Sequence, residues 1–164
     1  MNPWTIYFDG ACEPFNPGGH STYGWIIYTP EQDVILSGNG YVCSGEGSTN
    51  NVAEYCALIG GLKAFRTLNV SDSSLLCKGD SMLVVMQLTE KWRLRKPHLK
   101  ILCQQAWSLL EEIMLPWNAI WIPREQNQDA DDLSKSVKIP STAVAKRIFL
   151  KKEQRRVKKR KSHG

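Results

Sequence analysis

Polar and apolar residues alternate over 5–8, and the run ends at Asp9-Gly10, a pair that commonly closes a strand. Two β-rich runs follow at 23–29 and 34–42, separated by Pro30-Glu31-Gln32-Asp33, which predicts a meander of antiparallel strands. At Asn51 the period changes. Tyr55, Leu58, Ile59, Leu62 and Phe65 recur at helical spacing, with Ser48, Thr49 or Asn50 available as the cap. Leu75-Leu76-Cys77 reads as a short buried strand that hands over, through Lys78-Gly79-Asp80-Ser81, to another helix. Leu99, Leu102, Cys103, Ala106, Leu109, Leu110, Ile113 and Met114 mark the clearest helix, over 97–115. An apolar strand at 117–122 is stopped by Pro123, and the polar stretch 124–136 opens a last helix.

The predicted order is therefore βββαβααβα. Three consecutive strands followed by alternating strands and helices imply an α/β fold with a mixed five-stranded sheet, strands 1–3 antiparallel and 4–5 parallel, flanked by helices. Ligands gather at the carboxyl ends of the parallel strands in such sheets. With strands one and four as neighbours, Asp9 and Asp80 sit side by side there, and the helix after strand three can bring Glu54 to the same place.

Composition narrows the class. A chain of 164 residues fits one domain and, with 42% hydrophobic residues, can build a real core, which excludes disordered and fibrous classes. No basic leader precedes an apolar run, and no stretch approaches the roughly 18 apolar residues of a spanning helix, so no membrane partner and a cytoplasmic site are expected, or a nuclear or organellar one in a eukaryote. The five cysteines are widely spaced with no CxxC pair, and read as reduced thiols. Charge is uneven: residues 146–161 hold ten Lys/Arg and one Glu, a local +9 within a total of +5, which leaves −4 for the rest. A domain at 1–139 and a basic tail at 140–164, partly helical or disordered, are expected, the tail suited to a polyanion.

Taken singly, each acid has an ordinary explanation: a turn signal at Asp9-Gly10, a first-turn acid at Glu54, a cap at Asp80-Ser81, a solvated face at Asp131-Asp132. Together, DGACEPFNPGG (9–19), STNNVAEY (48–55), GDS (79–81) and REQNQDADDL (124–133) occur in the order and rough separation found in type 1 ribonucleases H, and the chain resembles that family from residue 4 to about 136. The resemblance makes Asp9, Glu54, Asp80 and Asp131 the catalytic, metal-binding carboxylates. Asn127 and Ala130 fix the register that selects Asp131 over Asp132.

Converging carboxylates repel one another and take up protons unless divalent cations neutralise them, and all-oxygen ligands select hard ions. Two Mg²⁺ ions, with Mn²⁺ as a substitute, are therefore expected about 4 Å apart, one activating the attacking water and the other stabilising the departing oxygen. The family activity implied is endonucleolytic hydrolysis of the RNA strand of RNA·DNA hybrids, leaving a 3′-hydroxyl and a 5′-phosphate. Asp9 is the expected bridging ligand. The resemblance assigns substrate contacts to the backbone of Gly10, Ala11 and Cys12 and to Asn16, Thr49, Asn50, Asn51 and Asn127, of which Thr49 and Asn51 hold a DNA phosphate.

The chain departs from the family pattern twice. Many type 1 enzymes carry a histidine loop before the last acid, whereas here Trp121-Ile122-Pro123-Arg124-Glu125 runs straight to Asn127, leaving proton transfer or product release to other groups, with Arg124 and Glu125 nearest. The basic protrusion of some members is reduced to Trp92-Arg93-Leu94-Arg95-Lys96. Trp92 either stacks on the DNA strand or ends a helix in the core; the other tryptophans are assigned to the core. Tail cations Lys151, Lys152, Arg155, Arg156, Lys158 and Lys159 are candidates to replace the lost protrusion. A monomer is expected.

The rival readings, in order, are a DNA-directed nuclease or resolvase on the same fold, a non-catalytic hybrid-binding module, and one domain of a polyprotein. The STNN segment favours hybrids over DNA duplex, the full set of acids favours catalysis, and the start at Met1 places the polyprotein last.

Overall fold

A computed structural model describes residues 2–141, so the basic tail lies outside the described residues from Thr142 on. The elements are β1 (Trp4–Glu13), β2 (Gly18–Tyr28), β3 (Val34–Gly45), α1 (Asn50–Arg66), β4 (Leu75–Gly79), α2 (Met82–Leu88), α3 (Pro97–Ile113), β5 (Trp117–Trp121), a 3₁₀ turn (Arg124–Gln126) and α4 (Gln128–Lys135). The sheet order is β3-β2-β1-β4-β5, antiparallel across β3-β2-β1 and parallel across β1-β4-β5, as the alternation of periods predicts.

Side-chain alternation splits β1 between two environments. Ile6 and Phe8, both fully buried, point into a core shared with Leu58, Leu62 and Phe65 of α1 and Leu99 and Cys103 of α3. Burying a side chain of this size contributes about 1.5–3 kcal/mol. Asp9 faces the other way, toward α4, which crosses β2 and β1 on the opposite side. That helix sits close because Gly24 has no side chain: a Cβ there would lie 2.6 Å from the Ala130 carbonyl oxygen.

The structure corrects the expected end of the first strand. β1 runs through Asp9-Gly10 to Glu13, because β2 pairs with it from Asp9↔Gly24 to Glu13↔His20. β2 accordingly starts at Gly18, ahead of the predicted Tyr23, and β3 extends to Gly45. Cross-strand pairing outweighs the local turn propensity. β4 ends at Gly79, opposite Phe8, so β1 outruns its parallel neighbour and its edge beyond that point has no strand beside it. Of the three candidate caps of α1 it is Thr49 whose hydroxyl accepts from the Val52 amide, at 3.2 Å. Ser48 is instead buried against Ser21, 2.5 Å between hydroxyls.

Trp4, Trp25, Trp107 and Trp117 pack against the core as expected. Trp121 does not: it is exposed on the sheet's edge strand, where its indole nitrogen donates to the Asp80 carbonyl, 3.1 Å. All five cysteines are free thiols. Among the described residues no helix is long and apolar enough to cross a membrane.

Candidate active site

Each acid arrives from a different element. Asp9 comes from β1 just past the end of β4, Asp80 follows β4, Glu54 projects from the second turn of α1, and Asp131 from the first turn of α4. Ser81, directly after Asp80, caps α2 by accepting from the Val84 amide at 3.3 Å, which turns the chain away at the strand end. Oxygens of Asp9, Glu54 and Asp80 all lie within 4.8 Å of one another. Asp131 stands at the border of this trio, close enough to the Asp9 carboxyl for each to perturb the other's ionisation. The four acids predicted from the motifs are thus brought together.

Such crowding is costly without compensation. Burial raises the Asp9 carboxyl to about 8, and the charges of Asp80 and Asp131 add to the shift. Glu54 is driven up by burial, then by Asp9 and Asp80, against the pull of a hydrogen bond from the Gly10 amide. One Glu54 oxygen, Oε2, is buried with no hydrogen-bond partner among the described residues. An orphaned carboxylate oxygen inside a three-acid cluster is what a hard divalent cation satisfies, so the donor set fits the metal the sequence implies.

Asp131 behaves differently. Burial pushes its carboxyl up, but the net shift is downward, because Lys135 Nζ donates to it at 3.0 Å, the Asp9 carboxyl adds a hydrogen bond, and Arg124 stands 4.0 Å away. Asp131 and Lys135 are four residues apart on one helix, the spacing of facing side chains, and that sequence signal was open to use. Replacing Lys135 by Met is expected to let the Asp131 carboxyl rise toward the ordinary aspartate range. Carboxyl-carbon NMR titration of the metal-free protein measures this, and an unshifted Asp131 resonance would deny Lys135 the role.

The expected substrate contacts fall into two groups. Asn16 is exposed beside the helix start, its Oδ1 accepting from the Asn50 amide at 3.1 Å, and Asn50 and Thr49 share that rim. Gly10, Ala11 and Cys12 lie on the open edge of β1, and the Cys12 side chain is turned inward, donating to Phe15 O at 2.9 Å. Asn51 and Trp92 line a common groove of about 490 Å³ with Lys91, Arg93 and Arg95, and Trp92 is 49% exposed, which resolves its two readings in favour of the surface.

Asn127 requires correction. It is 1% exposed, and its amide donates to the Phe8 carbonyl at 2.9 Å, so it is a positioning residue and not a substrate contact. It ties the turn before α4 to β1 one residue from Asp9. It also separates the 3₁₀ turn from α4 where a single helix was expected.

Residues 7–137 match the family described as reverse transcriptase-like. The chain is similar to ribonuclease HI of Halobacterium salinarum, 35% identical over 128 residues that cover 78% of this chain and 60% of that protein. Among solved structures, RNase H1 from Halobacterium salinarum NRC-1 has a TM-score of 0.73 at 30% identity, covering 82% of this chain and 96% of that one. LC11-RNase H1 in complex with RNA/DNA hybrid has a TM-score of 0.75 at 27% identity, covering 82% and 95%. The chain thus spans 60% of the length of the curated archaeal relative.

Proposed function

The chain belongs to the type 1 ribonuclease H family, and from that premise we propose that it is a metal-dependent endoribonuclease that hydrolyses the RNA strand of RNA·DNA hybrids. The observation that carries the reading is the meeting of Asp9, Glu54 and Asp80 within 4.8 Å, with Glu54 Oε2 buried and unpaired. The solved relative bound to an RNA/DNA hybrid supports the substrate class.

Asp9, Glu54 and Asp80, with Asp131 at their border, would hold two Mg²⁺ ions, or Mn²⁺ in their place. When bound, such ions supply Lewis-acid activation of water and neutralisation of the leaving oxygen's charge. The rest belongs to the protein. Lys135 and Arg124 keep Asp131 ionised. Asn127 fixes the start of α4 to β1, so that Asp131 and Asp9 keep their separation. Asn16 and Asn50 at the rim present amide groups able to read a 2′-hydroxyl, Thr49 and Asn51 hold a DNA phosphate, and Trp92 offers a face for the DNA strand. Products carry a 3′-hydroxyl and a 5′-phosphate. The basic stretch 146–161 adds salt-sensitive, sequence-independent affinity. The enzyme acts as a cytoplasmic monomer.

The test compares labelled RNA·DNA, RNA·RNA and DNA·DNA duplexes with Mg²⁺, Mn²⁺ or chelator. Cutting confined to the RNA of the hybrid, and lost with chelator, is expected. Equal cutting of DNA duplex would replace this reading with the resolvase one, and tight hybrid binding without cutting in either metal would leave a binding module.

A further inference from the structure

The groove beside the acids contains a polar group that the four carboxylates and the rim do not explain. Gln87, near the end of α2, is only 5% exposed among neighbours that are apolar, Val84, Val85 and Leu88. A buried amide is costly unless both its ends are engaged. One end is settled: the Tyr55 hydroxyl, on a fully buried ring of α1, donates to Gln87 Oε1 at 2.7 Å. The other end is not. Gln87 Nε2 has no partner among the described residues, yet it is not one of the occluded unpaired atoms, so it reaches solvent, and Gln87 lines the groove shared by Asn51 and Trp92.

Tyr55 therefore does more than satisfy an oxygen. By occupying the acceptor it fixes the amide's orientation and leaves only N–H groups facing the groove. A site that can only donate selects an acceptor, and Lys91, Arg93 and Arg95 at the rim favour an anionic one. The exposed face of Trp92 suits a nucleotide beside that anion. Asn51, on the opposite wall, lies one helical turn before Glu54, so a strand in the groove passes alongside the acid cluster. The RNA strand must present its scissile phosphate to the acids, which leaves this groove to the complementary strand.

We infer that Gln87, oriented by Tyr55, is a binding residue for the DNA strand and donates its amide to a phosphate oxygen of that strand. This rests on the hybrid reading above. The positions follow from the fold: α2 is anchored by its apolar neighbours, and Gln87 is the one member of Met82–Leu88 with an amide side chain.

The test measures hybrid affinity by fluorescence anisotropy in an uncleaving Asp80→Asn background, for Gln87→Met and Gln87→Glu. Gln87→Met removes the donor. Gln87→Glu keeps an acceptor for Tyr55 but replaces the donor with a negative charge, and so carries the test if Gln87→Met melts far below the parent. Both are expected to weaken binding, Gln87→Met by roughly tenfold and Gln87→Glu by more, with the excess shrinking as salt rises. Methylphosphonate replacement along the DNA strand should expose one position at which the Gln87→Met penalty vanishes. Unchanged affinity in Gln87→Glu, or a coupling found only with RNA-strand phosphates, overturns the assignment. Should the protein with Asp80 intact leave the hybrid uncut, the proposed activity fails separately, while the anisotropy series still decides whether Gln87 touches the DNA.

Discussion

Asp9→Asn is expected to reduce hybrid cleavage by on the order of 10³-fold or more, and at the same time to raise the melting temperature of the metal-free protein at pH 8. The two effects have one cause. Burial, then Asp80, then Asp131, raise the native Asp9 carboxyl from an ordinary 3.8 to about 8. Between about pH 4 and pH 8 the native state therefore holds a proton that the unfolded chain has released. The native state binds more protons in that window, so stability falls as pH rises through it. Below the window both states are protonated and the contribution is intact; above it both are ionised and the full cost is present. Glu54, shifted in the same direction, steepens the fall.

Asparagine is neutral at every pH and removes the Asp9 share of this cost. One pKa unit corresponds to about 1.36 kcal/mol, but the acids titrate as a group and their shifts do not add. A gain of about 1–3 kcal/mol is expected, or roughly 2–12 °C in Tm for a domain of this size. Divalent cation reverses the order: magnesium stabilises the parent more than the variant, and more at pH 8 than at pH 5, because it binds the ionised acids. Thermal melts at both pH values, with chelator and with magnesium, measure this. A variant that melts below the parent at pH 8 in chelator would mean that the acid cluster is not a site of stored repulsion.

The parts of the molecule legible in the sequence are those whose signal is local or repeated. The period change at Asn51 and the apolar stripe of α3 each carry several turns of evidence, and the order of elements follows from them. The acids were legible because four separate motifs agree, not because any carboxylate announces itself. What escaped depends on partners distant in the chain. Asp9-Gly10 reads as a strand end, and β1 continues only because β2 supplies a ladder as far as His20. Trp121 reads as core, yet it lies on an edge strand with the Asp80 carbonyl for a partner. Gln87 carries no sequence signal, since its orientation comes from a tyrosine 32 residues away. Asn127 was found for the wrong reason: the motif marks it, but its amide is used by the Phe8 carbonyl.

Gly10→Ala is expected to destabilise the protein by about 3 kcal/mol, roughly 6–12 °C in Tm, and to slow cleavage by on the order of 10²-fold in the molecules that remain folded. Backbone freedom is not the reason, as Gly10 has no left-handed φ. The reason is contact: an added Cβ would lie 2.2 Å from the Glu54 nitrogen, 2.3 Å from the Ala53 carbonyl carbon and 2.8 Å from the Ala53 Cβ. Neither side yields cheaply. β1 is paired with β2 on both sides of Gly10, from Thr5 to Glu13, and α1 is seated by the fully buried Leu58 and Leu62. The start of α1 must therefore move, and Glu54 moves with it. Calorimetry and single-turnover cleavage separate the two losses, and a variant with parental Tm would show that α1 can slide without cost. The same residue serves the site through its amide, which opposes the protonation of the Glu54 carboxylate. The missing side chain admits the helix and so sets where the Glu54 backbone lies, which makes helix packing and active-site geometry at Gly10 one contact, and a single methyl group tests both.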